Sequence, residues 1–288
     1  MTYPGRFLST LCTWTLKATA RFRALLVVPA ILLVALSVLP SVSRADNPRQ
    51  TVVVGYTPLQ PPFAVDESGN GLIQDVLAAL NRASTAYHFV QKRLYAGRAI
   101  TAFTTSGYDL IAFQNRNWGF EGEGVTQSLA LMKDRGAYFT SLDKRVEQGG
   151  RQLLGATRGF RYGFADFSLE KLEALPNVLL AVNEQDVVKL VVHGRVHMGV
   201  ASLSLLRWYQ HASQKLGAAI KILPKSDYSY DRSFVISPTS PVRPATLNAI
   251  LLKLQARGEL ARIFAVYGLT PPPLTPDSGV VRDWGAGG

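Results

Sequence analysis

Thr51 to Phe63 reads TVVVGYTPLQPPF, a run of β-branched residues that breaks into a Pro-Pro-Phe elbow. Threonine and valine in succession suit a strand buried in a parallel sheet. Each proline fixes φ and lacks an N–H, so regular structure stops there and Tyr56 and Phe63 are left beside the carboxyl end of the first strand. In open α/β sheets that end is where ligands sit.

Upstream of this run stands a leader. Arg6, Lys17, Arg21 and Arg23 precede an apolar stretch from Ala24 to Leu39, and Ser43-Arg44-Ala45 follows as a small-x-small cleavage pattern. The pattern predicts a secretory signal over 1–45, cut after Ala45, and hence a periplasmic protein. The length of the apolar stretch leaves an uncleaved membrane anchor as the alternative, disfavoured by Pro29 and Pro40. Cys12 is the only cysteine and lies in the leader, so the exported part has no disulfide. The leader also holds five of the basic residues and no acid, which reduces the formal charge of +11 to +6 for the rest. That mild excess, without basic runs interleaved with aromatics, argues against nucleic acid as a partner.

At 288 residues and 47% hydrophobic content the chain can bury a substantial core. Outward from the elbow, Asp66 to Gly71 (DESGNG) is a turn, and Leu72, Ile73, Val76, Leu77 and Leu80 recur at helical spacing. Tyr87 to Val90 predicts a strand, Ala99 to Phe103 a short helix and Tyr108 to Phe113 (YDLIAF) a buried strand. A polar, aromatic, glycine-rich segment follows, Gln114 to Gly124 (QNRNWGFEGEG), of the kind that faces ligands. The second block predicts strands at Gln152–Thr157, Val178–Val182, Val196–Ala201 and Ile220–Leu223. Its helices are expected at Ser168–Leu175, Val187–Val192 with Asn183 at the N-cap, and Leu203–Leu216. Ser233–Ile236 predicts one more strand. Pro244 opens a last helical region interrupted at Gly258, and the proline- and glycine-rich 270–288 is expected to be a disordered tail.

The order TVVVGYTPLQPPF, SGYDLIAF, HGRVHMGVAS, RGELARIFAVYG resembles family 3 of the bacterial extracellular solute-binding proteins, the periplasmic receptors of polar amino-acid ABC importers. The likeness runs from about Thr51 to Gly268. It implies an α/β type II periplasmic-binding-protein fold, two α/β lobes joined by two crossing strands, closing by hinge motion on a small polar ligand. The crossings are expected near Ala137–Ser141 and Asp231–Val235. That gives lobe 1 as 46–138 with 232–269, and lobe 2 as 139–231. A monomer is expected, with an ABC-transporter permease in the inner membrane as partner and no cofactor. On the same resemblance Tyr56 and Phe63 flank the ligand, and Gln114, Asn115 and Arg116 line the cleft with Trp118 close by. From the other lobe Arg158, Gly159 and Phe160 offer a loop before a helix, and Ser202 ends a strand at the cleft.

Two departures bear on the cargo. The family's Thr-x-x-Arg, whose arginine holds a carboxylate, is replaced here by NRNWGFEGEG, and the position of its ammonium-binding Asp aligns with Ser202. Arg116 and Arg158 are the candidates to substitute for the arginine. The resemblance also implies an alternative, an enzyme like cyclohexadienyl dehydratase, for which Glu121, Glu123 and Glu184 are the candidate carboxylates. A ligand-sensing receptor without a permease is a third reading. His193 and His197 are split by Gly194 and predict no metal site. Ser141-x-x-Lys144 and Ser168-x-x-Lys171 lack the companion motifs of serine acyl-enzymes.

Overall fold

The structure, a computed structural model, describes residues 48–94, 103, 107–142 and 152–275. The leader expected over 1–45, most of the short helix expected at Ala99–Phe103, Lys144, and the residues after Thr275 lie outside the described residues. Pro48 opens one compact unit. No described helix is long and apolar enough to cross a membrane.

Strand β1 (Gln50–Tyr56) is followed by helix α1 (Leu72–Ala83), β2 (Tyr87–Arg93) and β3 (Leu110–Gln114). β1 runs parallel to both neighbours, with Val52 opposite Phe89 and Val54 opposite Leu110. The elbow between β1 and α1 has a structural task. Pro62 O and Phe63 O accept from Leu72 N and Ile73 N, which satisfies two of the orphan donors at the start of α1. The approach is so close that a Cβ on Gly71 would lie 2.6 Å from Phe63 O, and Gly71 holds φ at +146°.

Short β4 (Thr126–Gln127) precedes β5 (Met132–Ser141), and β6 (Leu154–Thr157) opens the second block. Helix α2 (Leu169–Ala174), β7 (Val178–Ala181), α3 (Glu184–Val192), β8 (Met198–Ser202), α4 (Leu203–Ala212) and α5 (Gln214–Ala219) then alternate. Asn183 caps α3 as expected, its Oδ1 accepting from Asp186 N at 2.8 Å. The chain returns through β9 (Ile220–Ile236) and ends in α6 (Pro244–Ala256) and α7 (Glu259–Val266).

The strand order is β2-β1-β3-β9-β5-β8-β6-β7, with β4 also on β9. Where two separate strands were expected, β9 is continuous over 17 residues and belongs to both halves. It pairs with β5 as far as Arg232, opposite Met132, and with β3 from Ser233, opposite Gln114. Each half has its own core. Val52, Leu72, Val76, Phe113, Phe234 and Leu251 pack in the first, and Phe139, Val187, Val191, Leu205 and Leu206 in the second. Successive residues of β5 part company by the strand period: Ala137 and Phe139 enter one core, while Tyr138 packs with Tyr162 on the opposite face.

The start of the expected tail is ordered. Leu274 is 4% exposed in the first core, and its N–H donates to Gln255 Oε1 at 2.6 Å. One apolar residue among the prolines is enough to dock the segment.

Candidate functional site

Tyr228, Tyr230 and Arg232 occupy alternate positions of β9, and the two-residue period sends them to one face. That face closes a cavity of about 280 Å³. Thr57, Gln60, Gln114, Trp118 and Phe120 line it from the first half; Phe160, Arg161, Tyr162, Glu184 and Ser202 line it from the second. At the rim the side-chain amide of Gln185, on α3, donates to Leu59 O, so the two halves also touch outside the cavity.

The floor is a buried polar network centred on Arg232. Its Nε donates to Asp134 Oδ2 at 3.0 Å, Nη1 to Phe113 O at 3.2 Å, and Nη2 to Ser202 Oγ at 3.1 Å and Tyr230 OH at 3.3 Å. The side chains of Arg232 and Asp134 are only 4% and 1% exposed. Asp134 is held in turn by Ser204, whose N–H and hydroxyl both donate to it. Ser202 gives its single proton to Glu184 Oε1 at 2.8 Å, so toward Arg232 and Tyr230 it is the acceptor. Glu184 Oε1 also accepts from Ser202 N, whereas Oε2 takes no hydrogen bond from the described residues. Burial pushes the Glu184 carboxyl above its ordinary value, against the opposing pull of the Ser202 bonds and the Arg232 charge. Burial likewise pushes the Tyr228 hydroxyl up to about 12, so it stays a neutral phenol at the wall.

Of the residues singled out in the sequence, Gln114, Trp118, Gly159, Phe160 and Ser202 line the cavity. Phe63 lies beneath it, its ring 5.0 Å from that of Phe113 and 4.8 Å from the Arg232 guanidinium. Tyr56 does not reach the cavity. Its ring packs on Gly69, where a Cβ would come within 2.6 Å, and its hydroxyl donates to Glu67 O. Asn115 pins its loop, donating to Asp231 O and accepting from Asn117 N. Arg116 does not line the cavity, and its buried Nε has no hydrogen-bond partner among the described residues. Arg158, with a side chain 64% exposed, pairs with Glu173 at 3.5 Å.

The 158–164 loop brings the rings of Phe160 and Tyr162 to the cavity, and four of its amides are engaged within the protein. The N–H groups of Arg158 and Phe160 go to Ala181 O and Thr157 O, and those of Gly163 and Phe164 to Asp227. Of the three candidate carboxylates, Glu184 lines the cavity and Glu121 and Glu123 do not. His197 Nδ1 accepts from Leu153 N, and no group of three or more potential metal ligands gathers among the described residues.

Arg232, Tyr230 and Tyr228 were missed, as were Thr57, Gln60, Phe120, Arg161 and Tyr162. The signal of the first three is present in Tyr228-Ser-Tyr230-Asp-Arg232, an alternation that reads as one strand face once the segment is taken as β rather than as the link between two strands.

No protein-family model matches this sequence, and no curated protein does. Solved structures do match. The putative binding component of an ABC transporter from Wolinella succinogenes, complexed with lysine, superposes with a TM-score of 0.60 at 17% identity, over 76% of this chain and 96% of that one. The arginine-, lysine-, histidine-binding protein ArtJ from Geobacillus stearothermophilus gives 0.58 at 14% identity, over 78% and 97%. A histidine kinase sensor domain with similarity to periplasmic binding proteins gives 0.59 at 14% identity, over 78% and 99%. The fold is that of the two-lobed periplasmic binding proteins. In a periplasmic-binding-protein fold the two halves of the sheet are the lobes, and the cavity above Arg232 lies between them.

Proposed function

We propose that this protein is a periplasmic solute-binding protein. It captures a small polar molecule, amino-acid-like or carboxylate-bearing, and hands it as a monomer to an ABC-importer permease without chemical change. The observation that carries this reading is the cavity of about 280 Å³, lined by side chains of both lobes. Its size suits a molecule of amino-acid scale, and its walls combine aromatic faces with a few polar groups. Gln60, Gln114, Trp118, Phe160, Arg161 and Ser202 are the proposed contacts, split between the lobes so that a bound molecule favours the closed state. The matched structures that bind arginine, lysine and histidine support the class of ligand. Delivery to a permease and signalling to a kinase use the same closure, and a permease gene beside this one would favour delivery. Calorimetric titration of the mature protein against amino acids and carboxylates is expected to give one-to-one binding; a protein that binds none of them is not a solute receptor.

One observation favours a second reading. Glu184 lines the cavity, its Oε2 takes no hydrogen bond from the described residues, and burial raises its carboxyl above the ordinary range, as suits a general acid. Turnover of prephenate or arogenate, abolished by Glu184→Gln, identifies an enzyme on this scaffold.

A further inference from the structure

The surroundings of Arg232 are those a free guanidinium ion requires. A carboxylate, Asp134, meets its Nε; a carbonyl, Phe113 O, meets Nη1; and two hydroxyls, of Ser202 and Tyr230, meet Nη2. Three rings surround its carbon, Phe63 at 4.8 Å, Tyr230 at 5.0 Å and Trp118 at 5.1 Å. Carboxylate, planar acceptors and aromatic faces together make the standard receptor for this cation. The partners also come from both lobes: Phe63, Phe113 and Trp118 from the first, Ser202 from the end of β8 in the second.

A buried ion pair contributes little stability beyond what an apolar replacement of equal shape would give. What Arg232 contributes and an apolar residue could not is a charge and a flat hydrogen-bonding group at the floor of the cleft. We propose that this floor is a guanidinium-binding seat, and that Arg232 is its intramolecular ligand.

The seat being filled, a molecule entering the cleft meets the remaining wall: Gln60, Gln114, Glu184 and, at the mouth, the exposed Arg161. A second guanidinium finds Asp134 and the faces of Phe63, Trp118 and Tyr230 already taken by Arg232. On the solute-binding reading, on which this consequence rests, the cargo is neutral or carboxylate-bearing and has no guanidinium group.

The test is Arg232→Ala with ethylguanidinium, which restores the atoms removed. The variant strands Asp134, so its melting midpoint is expected to fall by about 10 °C. Millimolar ethylguanidinium is expected to recover at least half of that fall, while ethylammonium does not, and neither raises the wild type. If the variant does not fold alone, refolding on addition of ethylguanidinium is the same result. Ethylguanidinium without effect on the variant overturns the proposal. Calorimetry of the wild type against arginine and agmatine separates the two readings. Neither is expected to bind; tight one-to-one binding of either overturns the filled seat and leaves solute capture standing. A wild type that binds nothing, beside a variant rescued by ethylguanidinium, supports the seat and removes solute capture.

Discussion

Glu184 and Ser202 show how much a single pair can carry in this cleft. Both Ser202 donors converge on Glu184 Oε1, and burial raises the carboxyl above its ordinary value of 4.5. The folded protein therefore keeps this proton to higher pH than the unfolded chain does. Between the unfolded and the folded value the native state binds more protons, so stability falls as pH rises through that window. Glu184→Gln keeps an acceptor for Ser202 and removes the titration. Wild-type melting midpoints are expected to decline relative to those of Glu184→Gln as pH rises from about 4.5, the ordinary value; parallel curves would exclude the shift. Ser202, Gln114 and Trp118 were legible because motif order leads to the ends of strands β8 and β3, which a parallel sheet delivers to the cleft. Arg232 was not, because its role depends on the register of β9 against β5, and register is invisible until the strand partners are known.

Among the elements, those bounded by strong local signals were readable. Asn183 before an apolar run marked α3, the DESGNG turn marked α1, and Gly258 marked the break between α6 and α7. Two elements were hidden by composition. β9 carries Pro224, Lys225, Ser226 and Asp227 in its middle, residues that discourage a strand, yet pairing with β5 holds it extended. The segment after Leu269 was hidden by its prolines, although Leu274 inserts into the first core and is clamped by Gln255. Leu274→Ala is expected to cost about 2–5 kcal/mol, the usual loss for a buried leucine. The check is the urea midpoint: a lower midpoint at unchanged slope is the expected result, and an unchanged midpoint means that the segment does not bear on the core.

For the molecule as a whole, alternation of apolar strands with amphipathic helices was enough to foresee two α/β blocks, because that pattern permits few topologies. The cavity's chemistry was less legible, since it is made where side chains from distant positions meet: Phe63, Asp134, Ser202 and Arg232 span most of the folded chain. The strand they converge on has a further consequence. Because β9 runs unbroken through both halves of the sheet and carries Arg232, which donates to Phe113 O in one half and to Ser202 Oγ in the other, neither half can unfold without stripping hydrogen bonds from this buried cation. Two-lobed proteins often melt lobe by lobe. Here calorimetry is expected to give one transition whose calorimetric and van't Hoff enthalpies agree, and two resolved transitions would contradict it. A molecule of two lobes is thus expected to unfold as one.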